Sequence, residues 1–335
     1  MLLKQQLPMD DTLRVFVNDT RDNIKKILNK EDKRLLFVVG PCSIHNIEEA
    51  KNYANELKTI SDQVKENILI VMRVYFEKPR TSIGWKGLIN DPDINNSLDV
   101  NKGLYMAREL LLYINKIGLP CGCEFLDIIT PHYFSDLISW GAIGARTSES
   151  QIHRQMVSGL SMPIGFKNNR SGNLNIPCDS VKAAFNPQSF IGINDSGKSS
   201  LFITGGNKYS HTILRGSDNG PNFKTPSIID LMSKLKDNSL PLNVMIDCSH
   251  GNSGGNFKNQ RIVLNHSIAN WLNNDRYIMG IMMESNINEG SQPIKPLNEL
   301  KYGVSITDGC IGLQETTSLI INSHLLIKHT KMNRN

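Results

Sequence analysis

The feature that most constrains this chain is a rhythm of eight short apolar runs, at residues 35–42, 68–76, 120–127, 142–148, 163–168, 211–216, 242–250 and 278–286. They are rich in Val, Ile, Leu, Met and Phe without strict alternation, the pattern of a strand buried on both faces. Between them lie amphipathic segments at 47–61, 104–117, 133–140, 151–160 and 226–236. Such strands, separated by helices, form a parallel sheet covered by helices. Eight of them predict a closed (β/α)8 TIM barrel over residues 31–330. No GxGxxG follows the first run, which argues against an open dinucleotide-binding sheet. Two connections are long. Residues 77–103 make a loop after the second run, and residues 186–207 hold two β-like runs around Asp195-Ser196-Gly197, predicting an inserted β-hairpin. Residues 1–30 read as an N-terminal extension, an arm for regulation or oligomerisation. Its helix is expected at 20–29, capped by Asn18 or Asp19, with Ile24, Ile27 and Leu28 on one face.

Composition removes several classes of function. The formal charge of +5 over 335 residues is mild, and no Lys/Arg block stands beside aromatics, so nucleic acid is not an expected partner. No apolar run approaches the roughly 20 residues that span a bilayer. The start, MLLKQQLPMDD, lacks the apolar core of a signal peptide. Six cysteines in a chain of this length read as free thiols, and the expected compartment is the cytoplasm.

The polar residues at the ends of the runs carry the functional reading. In RVYFEKPRTSIGWKG (73–87) an apolar run containing Arg73 breaks at Lys78-Pro79-Arg80-Thr81. An arginine inside a core strand needs a partner. Taken alone, Arg73 fits either an ion pair with Glu77 or an anionic ligand above the strand. The first run ends in GPCSIH (40–45), the third at Glu124, the fourth at Arg146, the fifth at Lys167 and the sixth at Arg215. The seventh ends in DCSH with Asp247 and His250, the eighth at Glu284, and Asp308 follows in YGVSITDGC. In a barrel these positions converge on one mouth, at the C-terminal ends of the strands. Arg73, Lys78, Arg80, Arg146, Lys167 and Arg215 would repel one another there unless anions filled the space, which points to two phosphates or to a phosphate with carboxylates. Cys42, His250, Glu284 and Asp308 offer one thiolate, one imidazole and two carboxylates, a donor set for Mn, Fe, Co or Zn. Singly, each is better explained as core packing or a satisfied polar group; the shared mouth favours the joint reading. Cys121, Cys123, Cys178 and Cys248 read as structural. Cys310, two residues beyond Asp308, is expected beside Cys42.

These motifs, GPCSIH, RVYFEKPRT-x-x-GWKGL, EFLD, GART-x-ESQ-x-HR, GFKN, LRG, DCSHGNS, M-x-ES and YG-x-SITD, resemble those of the metal-dependent, feedback-regulated 3-deoxy-D-arabino-heptulosonate 7-phosphate (DAHP) synthases over residues 20–319. The resemblance implies a (β/α)8 barrel with an N-terminal extension and an inserted hairpin. It implies condensation of phosphoenolpyruvate with erythrose 4-phosphate, the entry to aromatic amino-acid synthesis. By motif, Cys42, His250, Glu284 and Asp308 would hold the metal. Arg73, Arg146, Lys167 and Arg215, with the Gly144-Ala145 backbone and Glu124, would bind phosphoenolpyruvate. Lys78, Pro79, Arg80 and Thr81 would hold erythrose 4-phosphate. Lys78 would protonate the new alkoxide, its pKa kept low by surrounding cations, and the metal site or a neighbouring base, Glu124 or His250, would activate water.

An aromatic amino acid would bind near the arm, Pro131, Leu160, Ser161 and the hairpin. The bare Gly192 favours tyrosine over phenylalanine by leaving room for a hydroxyl, while tryptophan sensitivity or an insensitive enzyme stays open. A homodimer or homotetramer is implied. Two departures stand out: Asn168-Asn169-Arg170-Ser171-Gly172 where the family commonly has Asn-Gly-Thr-Asp-Gly, and Asn46 where it has Asp. Rival readings are a related synthase using a five-carbon sugar phosphate, a Schiff-base aldolase acting through Lys167, and a non-catalytic phosphate-sensing barrel.

Overall fold

The computed structural model describes residues 2–80, 82–194, 196–273 and 277–333. A short helix α1 (Leu2–Gln6) and a long one, α2 (Asp11–Leu28), precede β1 (Leu35–Gly40). There follow α3 (Ile47–Val64), β2 (Ile68–Arg73), α4 (Val100–Lys116), β3 (Cys121–Glu124), α5 (Pro131–Phe134) and β4 (Trp140–Ile143). Next come α6 (Gln151–Ser158), β5 (Ile164–Lys167), α7 (Asn175–Phe185), and the strands β6 (Gln188–Ile193) and β7 (Ser199–Thr204). The chain closes with β8 (Ser210–Leu214), α8 (Thr225–Asp237), β9 (Val244–Asp247), α9 (Gln260–Leu272), β10 (Ile278–Asn286), β11 (Ile311–Gly312) and α10 (Leu313–Met332).

The strands β1-β2-β3-β4-β5-β8-β9-β10 pair in parallel in that order, and β10 pairs back onto β1, so the sheet closes into the expected eight-stranded barrel. The strands β6 and β7 form a separate antiparallel hairpin with Phe190 opposite Phe202. No helix among the described residues is long and apolar enough to cross a membrane.

Strand parity divides the core in two. On β1, Leu35, Phe37 and Val39 pack outward under the helices, while Leu36 and Val38 point into the barrel with Val71, Trp140, Ala142, Ile213 and Met245. Both faces are therefore apolar, which is why the runs do not alternate. On β10 the register slips between Ile278 and Gly280, so Met279 and Met282 both turn inward.

The N-terminal helix departs from expectation. It begins at Asp11, with the Asp10 carboxylate accepting from Leu13 N at 2.8 Å, rather than at residue 20. Its buried stripe runs Leu13, Val17, Thr20, Arg21, Ile24, Ile27 and Leu28. The polar middle of that stripe masked its length in the sequence. Ile24, Ile27 and Leu28 join the barrel-interior core, and the Leu28 carbonyl accepts from Asn243 just ahead of β9, so α2 stops the N-terminal end of the barrel.

The segment 133–140, expected as a helix, is α5 followed by a single 3-10 turn, and Trp140 already opens β4. Buried side chains claim the carbonyls a longer helix would have used. Arg108 donates to Tyr133 O, Arg21 to Ser135 O and Ile138 O, and Asn115 to Leu137 O, at 2.8–3.0 Å. Burial lowers the Arg21 pKa to about 10, which leaves it charged and donating.

Arg21→Ala should leave the buried Ile138 carbonyl without its side-chain donor, take one of two donors from Ser135 O, and lower stability by about 2–4 kcal/mol. Urea unfolding of variant and parent tests this, and a difference under about 0.5 kcal/mol would mean that the helix is not held to the barrel through Arg21.

Candidate active site

The period-two alternation that fills the barrel also selects the side chains at its C-terminal mouth. Two residues beyond Val38, Val71, Ala142, Ile213 and Met245 in the interior stand Gly40, Arg73, Gly144, Arg215 and Asp247, and beyond Met282 stands Glu284. Glu124 and Lys167 end β3 and β5 in the same row. Above them opens a cavity of about 760 Å³, lined among others by Arg73, Lys78, Pro79, Arg80, Glu124, Gly144, Ala145, Arg146, Lys167, Arg215, His250 and Asp308. Cys42 and Glu284 lie beneath its floor, fully buried. Thr81 lies outside the described residues. A Cβ at Gly144 would collide with the Glu124 carboxylate, so glycine there lets Glu124 face the cavity.

The proposed donor atoms converge. Ligand atoms of Cys42, Glu284 and Asp308 all lie within 4.8 Å of one another, with Cys42 Sγ 3.7 Å from Asp308 Oδ2. His250 stands outside that trio, with Nε2 3.8 Å from Glu284 Oε1. Its backbone is left-handed (φ 56°), and Nδ1 sits 3.0 Å from Asp247 Oδ2, which turns Nε2 toward the site. Burial works against ionisation of Glu284, but Arg73, His250 and Lys78 outweigh it and the carboxyl titrates at about 2. Burial and the neighbouring Glu284 push the Cys42 thiol up. One soft and several hard donors, one carboxylate held ionised, suit a borderline divalent ion. The Cys310 thiol is buried against the Cys42 backbone, as its position after Asp308 implies.

The cations sort themselves by partner. Arg73 does not pair with Glu77. It crosses the barrel top to Glu284 Oε1 at 2.7 Å, donates to the carbonyls of Pro41 and Cys42, and stacks 3.6 Å over the Tyr75 ring. Lys167 reaches Asp247 Oδ2 at 2.8 Å, and Arg170 meets Asp218 at 3.1 Å on the rim. Among the described residues no ion pair is found for Arg80, Arg146 or Arg215, so three guanidiniums face the cavity with charge to offer. Lys78 Nζ lies 3.1 Å from Cys42 Sγ. Its pKa does not fall as its cationic neighbours suggested. Burial and Arg73 pull it down, but Cys42, Glu284 and Glu124 dominate and the net shift is upward.

Asp247 had no assigned role in the sequence reading, yet it joins Lys167 to His250 and is held well below the usual carboxylate range against its burial. Its position three residues before His250 at a strand end was the available signal. Ser249, which donates to Glu284 Oε2 at 2.8 Å, and Asp218 gave none.

A second cleft, of about 580 Å³, opens between the hairpin, α6 and the 128–135 segment. It is lined by Pro131, Leu160, Gly192, Phe190, Phe202 and Met156 among others. Ser161 turns away, accepting from Arg21 at 3.0 Å. Gly192 does not leave the open room expected of it. The Phe202 ring, stacked on Phe190 at 5.7 Å, occupies the space a Cβ would enter, so the preference for tyrosine loses its basis.

Glu77 lies between the two clefts, 3% exposed, and accepts from Thr130 Oγ1 at 3.0 Å. Burial raises its pKa from 4.5 to about 7, the Thr130 hydroxyl offsetting part of the rise. The folded protein thus holds a proton that the unfolded chain releases near pH 4.5. Stability from this group is full below that pH, falls as pH rises to 7, and stays lower by on the order of 3 kcal/mol above it. Glu77→Gln should gain on the parent progressively between pH 5 and 8 in urea unfolding, and a constant difference across that range would place the titration elsewhere.

The sequence model of the DAHP synthetase I family matches residues 14–321. The chain is 45% identical to the tyrosine-inhibited phospho-2-dehydro-3-deoxyheptonate aldolase of Schizosaccharomyces pombe, over 95% of this chain and 87% of that one. It is 46% identical to the Phe-sensitive enzyme of Escherichia coli K12, over 95% and 91% of the two chains. The solved phospho-2-dehydro-3-deoxyheptonate aldolase of Francisella tularensis superimposes with a TM-score of 0.95 at 46% identity, covering 98% of this chain and 95% of its own. A match running through barrel, hairpin and most of α2, at this identity, means that the chain belongs to the DAHP synthetase I family.

Proposed function

We infer that the protein condenses phosphoenolpyruvate with D-erythrose 4-phosphate and water to give DAHP and inorganic phosphate, the first step toward chorismate. The observation that carries this reading is a single cavity in which three guanidiniums with no ion pair among the described residues, Arg80, Arg146 and Arg215, stand over the Cys42–Glu284–Asp308 donor set.

Cys42, His250, Glu284 and Asp308 are the residues that would hold a divalent ion, Mn, Fe, Co or Zn. Arg73 and Ser249 orient Glu284 from below, and Asp247 orients His250. When bound, the ion supplies Lewis-acid polarisation of an aldehyde oxygen. Arg146, Lys167 and Arg215, with the Gly144-Ala145 backbone, bind phosphoenolpyruvate. Most of the hydrogen-bonding capacity of Arg73 is taken, so it adds chiefly charge beneath. Lys78, Pro79 and Arg80, with Thr81, hold erythrose 4-phosphate. A new bond joins C3 of phosphoenolpyruvate to the aldehyde carbon, water oxygen adds at C2, and phosphate departs as the C2–O bond breaks. Lys78, kept protonated by its anionic neighbours, delivers its Nζ proton to the alkoxide formed from the aldehyde. With His250 Nδ1 beside Asp247 and Nε2 turned to the donor set that would hold the ion, Glu124 is the better group to take the proton of water.

The second cleft suits an aromatic amino-acid inhibitor, since relatives are named for sensitivity to tyrosine, phenylalanine and tryptophan. Exposed Ile191, Leu201 and Ile203 on the outer hairpin face support self-association as a homodimer or homotetramer, with residues 1–30 contributing an arm. The function itself is tested by incubating the protein with both substrates and a metal series. Phosphate release should require both substrates together and match product formed; release from phosphoenolpyruvate alone would overturn the assignment.

Chelation should abolish activity, and several divalent ions should restore it. Cys42→Ser should fold normally but retain metal at least about tenfold more weakly, read by metal content after dialysis. Equal content in variant and parent would remove Cys42 from the ligand set. Arg80→Ala should raise KM for erythrose 4-phosphate by about tenfold or more with a far smaller change for phosphoenolpyruvate, and Arg146→Ala the reverse. Equal effects on both substrates would mean that the two anion sites are not separate.

A further inference from the structure

The rim of the cavity carries one charge pair that the reaction as derived does not use. Arg170 Nη2 lies 3.1 Å from Asp218 Oδ2, Arg170 Nε lies 3.4 Å from Oδ1, and the Asp218 amide donates to the Arg170 carbonyl at 2.8 Å. Both side chains are more than half exposed and both line the cavity. The loops that bear them are already tied together elsewhere. Asn168 donates to Gly216 O at 2.9 Å and accepts from Arg215 N at 2.9 Å, and Gly172 packs on Ser217 so closely that a Cβ would crowd it. An exposed ion pair adds roughly 0–1 kcal/mol of stability, so bracing alone is a weak reason for two opposite charges at the mouth.

Their surroundings supply a better one. Arg215, beside them, keeps Nη1 buried without a hydrogen-bond partner among the described residues. Its guanidinium feels Asp218, Arg170 and Arg146 as neighbouring charges, beyond the effects of burial and Asp247. A phosphoryl group seated against Arg146 and Arg215 would attract Arg170 and repel Asp218. The backbone bond between the two residues lets the guanidinium turn inward without moving either loop.

We propose that Arg170 is an additional cation of the phosphoryl end of the phosphoenolpyruvate site and that Asp218 competes with the substrate for it, so that the pair sets affinity for that group. This rests on the function inferred above. Arg170 falls within the Asn168–Gly172 stretch that departs from the Asn-Gly-Thr-Asp-Gly pattern of the resemblance, so this cation is not part of that shared pattern.

Arg170→Gln and Asp218→Asn break the same ion pair, and this separates the two roles. A brace predicts that both variants shift KM in the same direction. The proposal predicts opposite directions: KM for phosphoenolpyruvate up by about threefold to fivefold in Arg170→Gln and down by a similar factor in Asp218→Asn. KM for erythrose 4-phosphate should move by less than about twofold in both, and the contrast should shrink at about 0.5 M KCl. Calorimetry of inorganic phosphate binding to the metal-loaded protein, in an Arg80→Ala background that removes the other anion corner, should show the same opposed changes. Shifts in one direction, or no shift in phosphate binding, overturn the proposal. Opposed changes in phosphate binding between the two variants, together with a parent that does not turn over the substrate pair, would instead overturn the function, leaving the anion role of Arg170 intact.

Discussion

The buried pair between Arg73 and Glu284 is the interaction on which the rest of the site depends. Arg73 ends β2 and Glu284 lies on β10, on opposite sides of β1, and both are essentially without solvent contact. The guanidinium reaches its partner because Gly40 ends the strand between them. A Cβ there would strike the Arg73 backbone and side chain. Removing either charge would leave the other uncompensated in the interior, at a cost of about 3–5 kcal/mol. The pair also does chemical service. Arg73 keeps Glu284 ionised despite complete burial, and an ionised carboxylate beside Cys42 and Asp308 is what a divalent ion requires.

From this pair upward the charges are arranged in tiers. At the floor, Arg73 is matched by Glu284 and Lys167 by Asp247. At the rim Arg170 is matched by Asp218, and between these levels Arg80, Arg146 and Arg215 have no acidic partner among the described residues. A barrel mouth can concentrate this much positive charge only because the layers below are neutralised within hydrogen-bond distance. What remains unmatched is a field directed at incoming anions. Lys78 shows how far local pairing overrides composition: cations surround it, but the Cys42 sulfur and the carboxylates nearest it decide its proton affinity.

The barrel and its second cleft share structural parts. Helix α2 stops the bottom of the barrel through Ile24, Ile27 and Leu28, and its Arg21 holds Ser161 and the turn ahead of β4. The same turn lies near Ser135, which lines the cleft under the hairpin. Glu77, one residue before Lys78, bonds Thr130 in the segment that forms the opposite wall. The two openings are thus joined by a few buried polar contacts rather than by a flexible linker.

Much of this was legible in the residues themselves. Short continuous apolar runs, rich in β-branched residues and separated by amphipathic segments, read as strands buried on both faces, so eight of them pointed to the barrel. Period-two parity then dictated that Arg73, Glu124, Lys167 and Glu284 face one mouth. The motifs around Cys42, Arg146 and His250 were long enough to place the chain in its family. The sequence did not determine who pairs with whom. Arg73 lies four residues from Glu77 and 211 from Glu284, and only strand order with a glycine between made the distant carboxylate the neighbour. The full length of α2 was hidden because Thr20 and Arg21 occupy its buried stripe, and burial of an arginine is allowed only by carbonyls that another segment presents. The room over Gly192 was likewise a property of Phe202 on the facing strand. Local pattern determines which face a side chain takes, because that depends on backbone geometry alone. Which charge it meets there, and at what pKa, depends on strands brought together from across the chain.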